Sequence, residues 1–298
     1  MLQGRFGRPP KKAVLVGLLV GGVVWFVAMI VLWWTFVYTS PQNVFEGMLA
    51  RNFATTGYTR LVSNEGQGVK QTEISQVQYG NEPVARSKVT IERGGNTEVA
   101  EVLSTTTEDY VRYTELDYKD SEGQAIDMSD AEGVWAKQQS SGSLSQSFSQ
   151  LTLFGTYFPI GLVPAENRTE LLRHIQQNTV YNVDYDNVKT ETIDGHRVYT
   201  YELTIQLQAY AGLVQRFGEA IGQSARVSGL NPADYAGTEP VSLTVSVDKA
   251  SRQIVQVAYE QSPGIEERYA GFGIANQPVT LPRDAISTFE LQQRLQQQ

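Results

Sequence analysis

The 298-residue chain has no cysteine, which excludes disulfides, thiolate metal sites, a cysteine nucleophile and the acylated cysteine of a bacterial lipoprotein. Histidine is nearly as scarce. The two present, His174 and His196, fall on the polar side of a predicted helix and in a predicted hairpin turn, and neither position suits a catalyst. No GxSxG, HExxH, GxxxxGK[ST] or GxGxxG is found; Gly271-Phe272-Gly273 lacks both the third glycine and a preceding βαβ unit. Hydrolase and phosphate-cradle readings fall away. Basic residues are also few, 24 against 32 acidic. Four of them, Arg5, Arg8, Lys11 and Lys12, precede the first acid, Glu46, so the rest of the chain holds 20 against 32, a net of −12. Such a field repels nucleic acid and anionic headgroups, so no nucleic-acid partner is expected.

One long apolar run is present. Ala13 to Tyr38 is uncharged and, at about 1.5 Å per residue, long enough as a helix to cross a hydrocarbon core of about 30 Å. With the basic cluster before it, the positive-inside rule predicts a cytoplasmic tail over 1–12, a single-pass membrane anchor over 13–38 and an extracytoplasmic remainder. Trp33, Trp34 and Tyr38 take the place of an outer aromatic belt. A cleaved signal peptide has a shorter apolar region ending in small residues, whereas this run ends WWTFVYTSP. Gly17 and Gly21 form a GxxxG pair, the expected seam of a weak homodimer.

Beyond the run, Val44, Met48 and Phe53 lie near helical spacing, predicting a short helix off the membrane. Alternation around Gly94-Gly95 and around Asp194-Gly195 predicts two hairpins, and Val241, Leu243, Val245 and Val247 mark another strand that turns near Asp248 to Ser251. The stretch from Lys119 to Glu132 is expected to be a solvated acidic loop. Its glycines, Gly123 and Gly133, would put Tyr118 or Met128 at the first ligand position of an EF-hand, so it is not one. A helix capped at Asn167 is predicted over 167–177. Leu144, Phe148 and Leu151 share one helical face, after which LTLFGTYFPIGLVP is apolar but broken by Gly155, Pro159, Gly161 and Pro164. That segment reads as a buried crossover or as a mobile apolar flap. Asp184, Asp186, Glu266 and Glu267 are the carboxylates considered for an acid and base pair, without a motif to support it.

Between His196 and Gly222 the apolar repeat changes. Tyr199, Tyr201, Leu203, Ile205 and Leu207 alternate as in a half-buried strand, whereas Tyr210, Leu213, Val214, Phe217 and Ile221 follow helical spacing. This order of elements, with GHRVYTYELTI, VSLTVSVDKASRQIVQVAY and the closing YAGFGIANQPVTLP, resembles the LolA-like and LppX/LprG-like family of bacterial cell-envelope proteins. The resemblance implies an α+β fold over 39–282, a curved antiparallel half-barrel with helices across its concave face and lipid or acyl chains held between. A retained helix stands in place of the family's lipidated cysteine or cleaved signal, which is incompatible with free diffusion. A C-terminal tail with a short helix is expected over 283–298. The expected function is non-enzymatic binding of a lipid or other apolar ligand, without cofactor or metal. Its expected site is Tyr199, Tyr201, Leu203, Ile205, Leu207, Leu213 and Phe217, gated by Phe154 and Phe158. The alternative is a membrane-tethered interaction or scaffold module with a filled core.

Overall fold

The computed structural model describes residues 11–120, 122–138, 145–273 and 279–296; the side chains at 11–21, 35 and 36 lie outside that description. Helix α1 (Lys11–Trp33) runs into a π-helical turn (Trp34–Tyr38), where Trp34 stacks on Tyr38 with ring centroids 4.4 Å apart. From Val23 to Trp34 its large apolar side chains are exposed. Among the described residues no helix is long and apolar enough to cross a membrane. The first half of the expected anchor, with the Gly17 and Gly21 pair, lies outside the described side chains. Ser40 then caps α2 (Pro41–Asn52), its hydroxyl accepting from the Asn43 amide while Pro41 takes the first helical position, where no donor is needed.

Two meanders follow, joined by helices. The first comprises β1 (Gly57–Gly66), β2 (Val69–Gln78), β3 (Val84–Arg93), β4 (Asn96–Thr105), β5 (Asp109–Asp117) and β6 (Ala136–Gln138). The linking region holds α3 (Gln146–Ser149) with a π-helical turn (Gln150–Phe154), α4 (Ala165–Gln177), β7 (Tyr181–Val183) and β8 (Lys189–Ile193). The second meander contains β9 (His196–Ile205), α5 (Leu207–Ala220), α6 (Ser224–Val227), β10 (Val241–Asp248), β11 (Ile254–Tyr259) and β12 (Ile265–Ala270). β13 (Ile286–Ser287) and α7 (Thr288–Gln296) close the described chain. The strands form one curved, unclosed sheet in the order β13-β6-β5-β4-β3-β2-β1-β12-β11-β10-β9-β7, with β8 also on β9. All pairs are antiparallel except β6 with β13. The two meanders meet where β12 returns to β1, pairing Arg60 with Tyr269 and Val62 with Glu267.

The turns follow from backbone sterics. Gly94-Gly95 and Asp194-Gly195 both take positive φ, as a two-residue hairpin that matches strand twist demands. Gln67-Gly68 does the same between β1 and β2, a turn the pattern did not predict because glutamine is not a usual left-handed residue. Three expectations change, and the helical face around Phe148 is kept in shortened form. β9 ends at Ile205, and Leu207 opens α5 instead of continuing the strand. α4 begins at Ala165 behind Pro164, so Asn167 lies inside it. The helical face around Phe148 is a short helix capped by Ser145 that widens into the π-helical turn. The acidic stretch is only partly solvated: Met128 and Ala131 are buried with Leu116 and Leu291 of α7, and Glu132 accepts from the Leu116 amide at 2.8 Å.

The main core lies between the inner face of the sheet and α2, α4 and α5. Odd-numbered residues of β9 and β10 face it, and α2 contributes Val44, Phe45, Met48 and Leu49.

Candidate functional site

Most residues expected to line a cavity occupy this core. Tyr201, Ile205, Leu213, Phe217 and Phe158 are fully buried and Leu203 nearly so, all in one cluster. Tyr199 and Leu207 are half-buried. The apolar segment splits in two: Leu153, Phe158 and Ile160 are anchored inward, Phe158 stacking on Tyr181 with centroids 5.3 Å apart, whereas Phe154 is 45% exposed.

Beneath that segment lies a buried polar network. Arg60 on β1 and Glu267 on β12 pair through two bonds, Nε to Oε2 at 3.0 Å and Nη2 to Oε1 at 2.8 Å. Tyr259 on β11 donates to Oε1 at 2.5 Å, and Tyr269 donates to Oε2. The Tyr269 oxygen is also 2.9 Å from Thr156 Oγ1, and Tyr210 of α5 donates to the Thr156 carbonyl at 2.7 Å. Burial raises the phenol pKa of Tyr259 and Tyr269, with the nearby Glu267 carboxylate adding to it. Both hydroxyls therefore stay protonated and donate. Burial also opposes the Arg60 charge, but the paired Glu267 carboxylate outweighs it and holds the guanidinium pKa above its ordinary value. A cavity of about 230 Å³ opens beside this network, between Phe154, Tyr157, Tyr210 and Tyr259. Glu267, considered above as half of an acid and base pair, is held by an arginine and two phenols; Glu266 is surface-paired with Arg268.

A larger cleft, about 400 Å³, lies between α2 and α4. Its lining combines apolar Phe45, Leu49, Leu172, Ile175, Tyr181 and Tyr185 with polar Asn43, Glu46, Gln176, Thr179 and Arg252. It is beside the connector that leaves α1. Tyr199 donates to the Thr39 carbonyl at 3.0 Å, Tyr201 to the Pro41 carbonyl at 2.8 Å and Arg252 Nη2 to the Tyr38 carbonyl at 2.8 Å. The β9 tyrosines thus spend their hydroxyls on holding the connector. Lys249 lies 4.0 Å over the Tyr199 ring and Arg252 3.9 Å over the Tyr38 ring, within cation–π range.

Sequence reasoning missed Arg60, Tyr259, Tyr269 and Arg252. A signal existed for Arg60 and Tyr269: Glu267 falls on the apolar phase of β12 between Ile265 and Tyr269, and Arg60 on that of β1 between Tyr58 and Val62. Opposite charges on two inward phases predict a buried pair. Among the described residues no group of three His, Asp or Glu side chains is placed to hold a metal. No protein-family model matches the chain, and no curated protein matches it.

Proposed function

We propose that this is a membrane-anchored, extracytoplasmic and non-enzymatic protein that takes one apolar chain of an envelope lipid into the cleft between α2 and α4. The observation carrying this reading is the cleft itself, about 400 Å³ and lined by six aliphatic and aromatic side chains together with five polar ones, placed at the connector to α1. Small-molecule sites run from roughly 300 to 1,000 Å³ and are mostly apolar with a few placed polar groups. A cleft at the low end of that range suits one chain rather than several. The anchor reading rests on the uncharged run from Ala13 to Tyr38 and on the exposed apolar side chains from Val23 to Trp34, a surface that needs covering by lipid or protein. The resemblance to LolA-like proteins supports the same reading, with the difference that the ligand lies beside α2 and not under β9.

The test is to fill the cleft. Leu172 is half-buried on its wall, so Leu172→Trp removes ligand space without emptying the core. Binding of a fluorescent long-chain lipid to the full-length protein is expected to weaken about tenfold, roughly 1.4 kcal/mol, with the unfolding transition little changed.

A second reading, a tethered scaffold with no ligand, is favoured by the filling of the core under β9, where Tyr201, Leu203, Ile205 and Phe217 have at most 4% exposure. It replaces the first if the wild-type protein binds no lipid.

A further inference from the structure

Arg252 closes the turn between β10 and β11, where its amide donates to the Asp248 carbonyl at 2.9 Å, and its guanidinium lies 3.9 Å over the Tyr38 ring. Its φ of 55° lies in the left-handed region, where a long side chain is strained and glycine or asparagine is usual. The side chain lies against α2 at Gly47, and a Cβ there would meet Arg252 Cδ at 2.5 Å, so only glycine admits this approach. Nη2 donates to the Tyr38 carbonyl, yet Nε is buried with no acceptor. Nε is sealed against α2 at Gly47, whereas Nη1 also lacks an acceptor among the described residues and is not sealed, so Nη1 is the donor that a ligand in the cleft can reach. Arg252 also lines the cleft, beside the chain leaving α1.

We infer that the cleft takes an amphiphile with an acidic head, phosphate or carboxylate, and that Arg252 bonds that head while the chain lies along Phe45, Leu172 and Ile175. This rests on the cleft reading above and adds to it the chemistry of the ligand. An arginine matches such heads because its donors lie in one plane and bind two oxygens at once. Glu46 is the carboxylate in the cleft wall, and its Oε1 accepts from Gln42 Nε2 at 2.9 Å. It opposes an anion, so Glu46→Gln is expected to strengthen binding of the acidic probes.

The experiment is native mass spectrometry of the full-length protein released from detergent micelles, titrated with four probes. These are palmitate, 1-palmitoylglycerol 3-phosphate, uncharged 1-palmitoylglycerol and inorganic phosphate. The two acidic amphiphiles are expected to bind about tenfold or more tighter than the uncharged one, the scale of a charge-assisted hydrogen bond. Arg252→Gln, which keeps a similar backbone φ, is expected to abolish that preference by weakening the two acidic amphiphiles to the affinity of the uncharged one. Gly47→Ala is expected to weaken the preference by pushing the guanidinium off α2. An unfolding transition close to that of the wild type shows that the variants are folded. Equal binding of acidic and uncharged amphiphiles by the wild type, or a preference that survives Arg252→Gln, overturns the acidic head and leaves the cleft reading standing. Inorganic phosphate binding as tightly as the phosphate lipid overturns the amphiphile. Binding of no amphiphile at all overturns both readings.

Discussion

At the scale of single residues, the Arg60 and Glu267 pair decides more than any other contact. Its side chains are 9% and 3% exposed, and the carboxylate oxygens accept from the guanidinium and from two phenols. Removing one partner leaves an uncompensated charge in the core, which typically costs about 3 to 5 kcal/mol. Glu267→Gln is therefore expected to lower the stability of the full-length protein by that order in chemical denaturation. Arg60→Met combined with Glu267→Leu is expected to be less harmful than either single change, because no charge remains buried. A double variant that is simply the sum of the two singles contradicts this account. Phe158 and Phe154 make a contrasting pair. Phe158→Ser is expected to destabilise about as much as Leu203→Ser, within the roughly 3 to 5 kcal/mol of a core phenylalanine truncation. Phe154→Ser, at a side chain half in solvent, is expected to stay within about 0.5 kcal/mol. Thermal unfolding of the three variants separates a core role from a gate role at each position.

At the scale of elements, α4 and α5 pack through a histidine. His174 Nε2 lies 3.4 Å from the Ala209 carbonyl and against Gly212 of α5. Its pKa is lowered, first by burial and then by Arg216, despite the Ala209 bond that works the other way. A histidine whose folded pKa is depressed below about 6.5 contributes stability that is fully present above that pH and is lost as pH falls through the folded value. The melting temperature is expected to decline between about pH 7 and pH 5, and His174→Gln is expected to flatten that slope. An unchanged slope in the variant would assign the pH dependence to other groups. The connector offers a second test at this scale. Tyr199→Phe with Tyr201→Phe removes two bonds to the Thr39 and Pro41 carbonyls. Faster amide exchange across residues 38–44 is expected, with exchange in β10 and β11 unaffected.

At the scale of the whole molecule, a net-acidic domain is tied to the end of an apolar helix and the connector after it by side-chain bonds from Asn43, Tyr199, Tyr201 and Arg252. If the amino end is cytoplasmic, Glu82, exposed in the turn before β3, lies outside the cell. Glu82→Cys introduces the chain's one thiol and is expected to react with an impermeant reagent on intact cells; labelling that requires lysis reverses the orientation.

Local rules made a good part of this protein readable from its sequence. The antiparallel sheet followed from alternation, two of its hairpins from Gly94-Gly95 and Asp194-Gly195, and the turn after β10 from Asp248, whose Oδ1 accepts from the Ala250 and Ser251 amides. The apolar faces of β9 and α5 were also legible, because a period of two or of 3.6 requires only the neighbouring residues. Whether those faces enclose a ligand or each other was not, since an apolar side chain has the same periodicity against a cavity as against a core. Only the tertiary structure set Tyr201 and Phe217 inside a packed interior and placed open space beside α2. The same limit hid Arg252. Its role depends on Gly47 and Tyr38, which lie more than two hundred residues away along the chain and come within contact distance only when β10 and β11 bring their turn against α2. Periodicity is a property of one segment, whereas a site is a meeting of several, and that meeting is fixed by packing between elements whose register no single segment encodes.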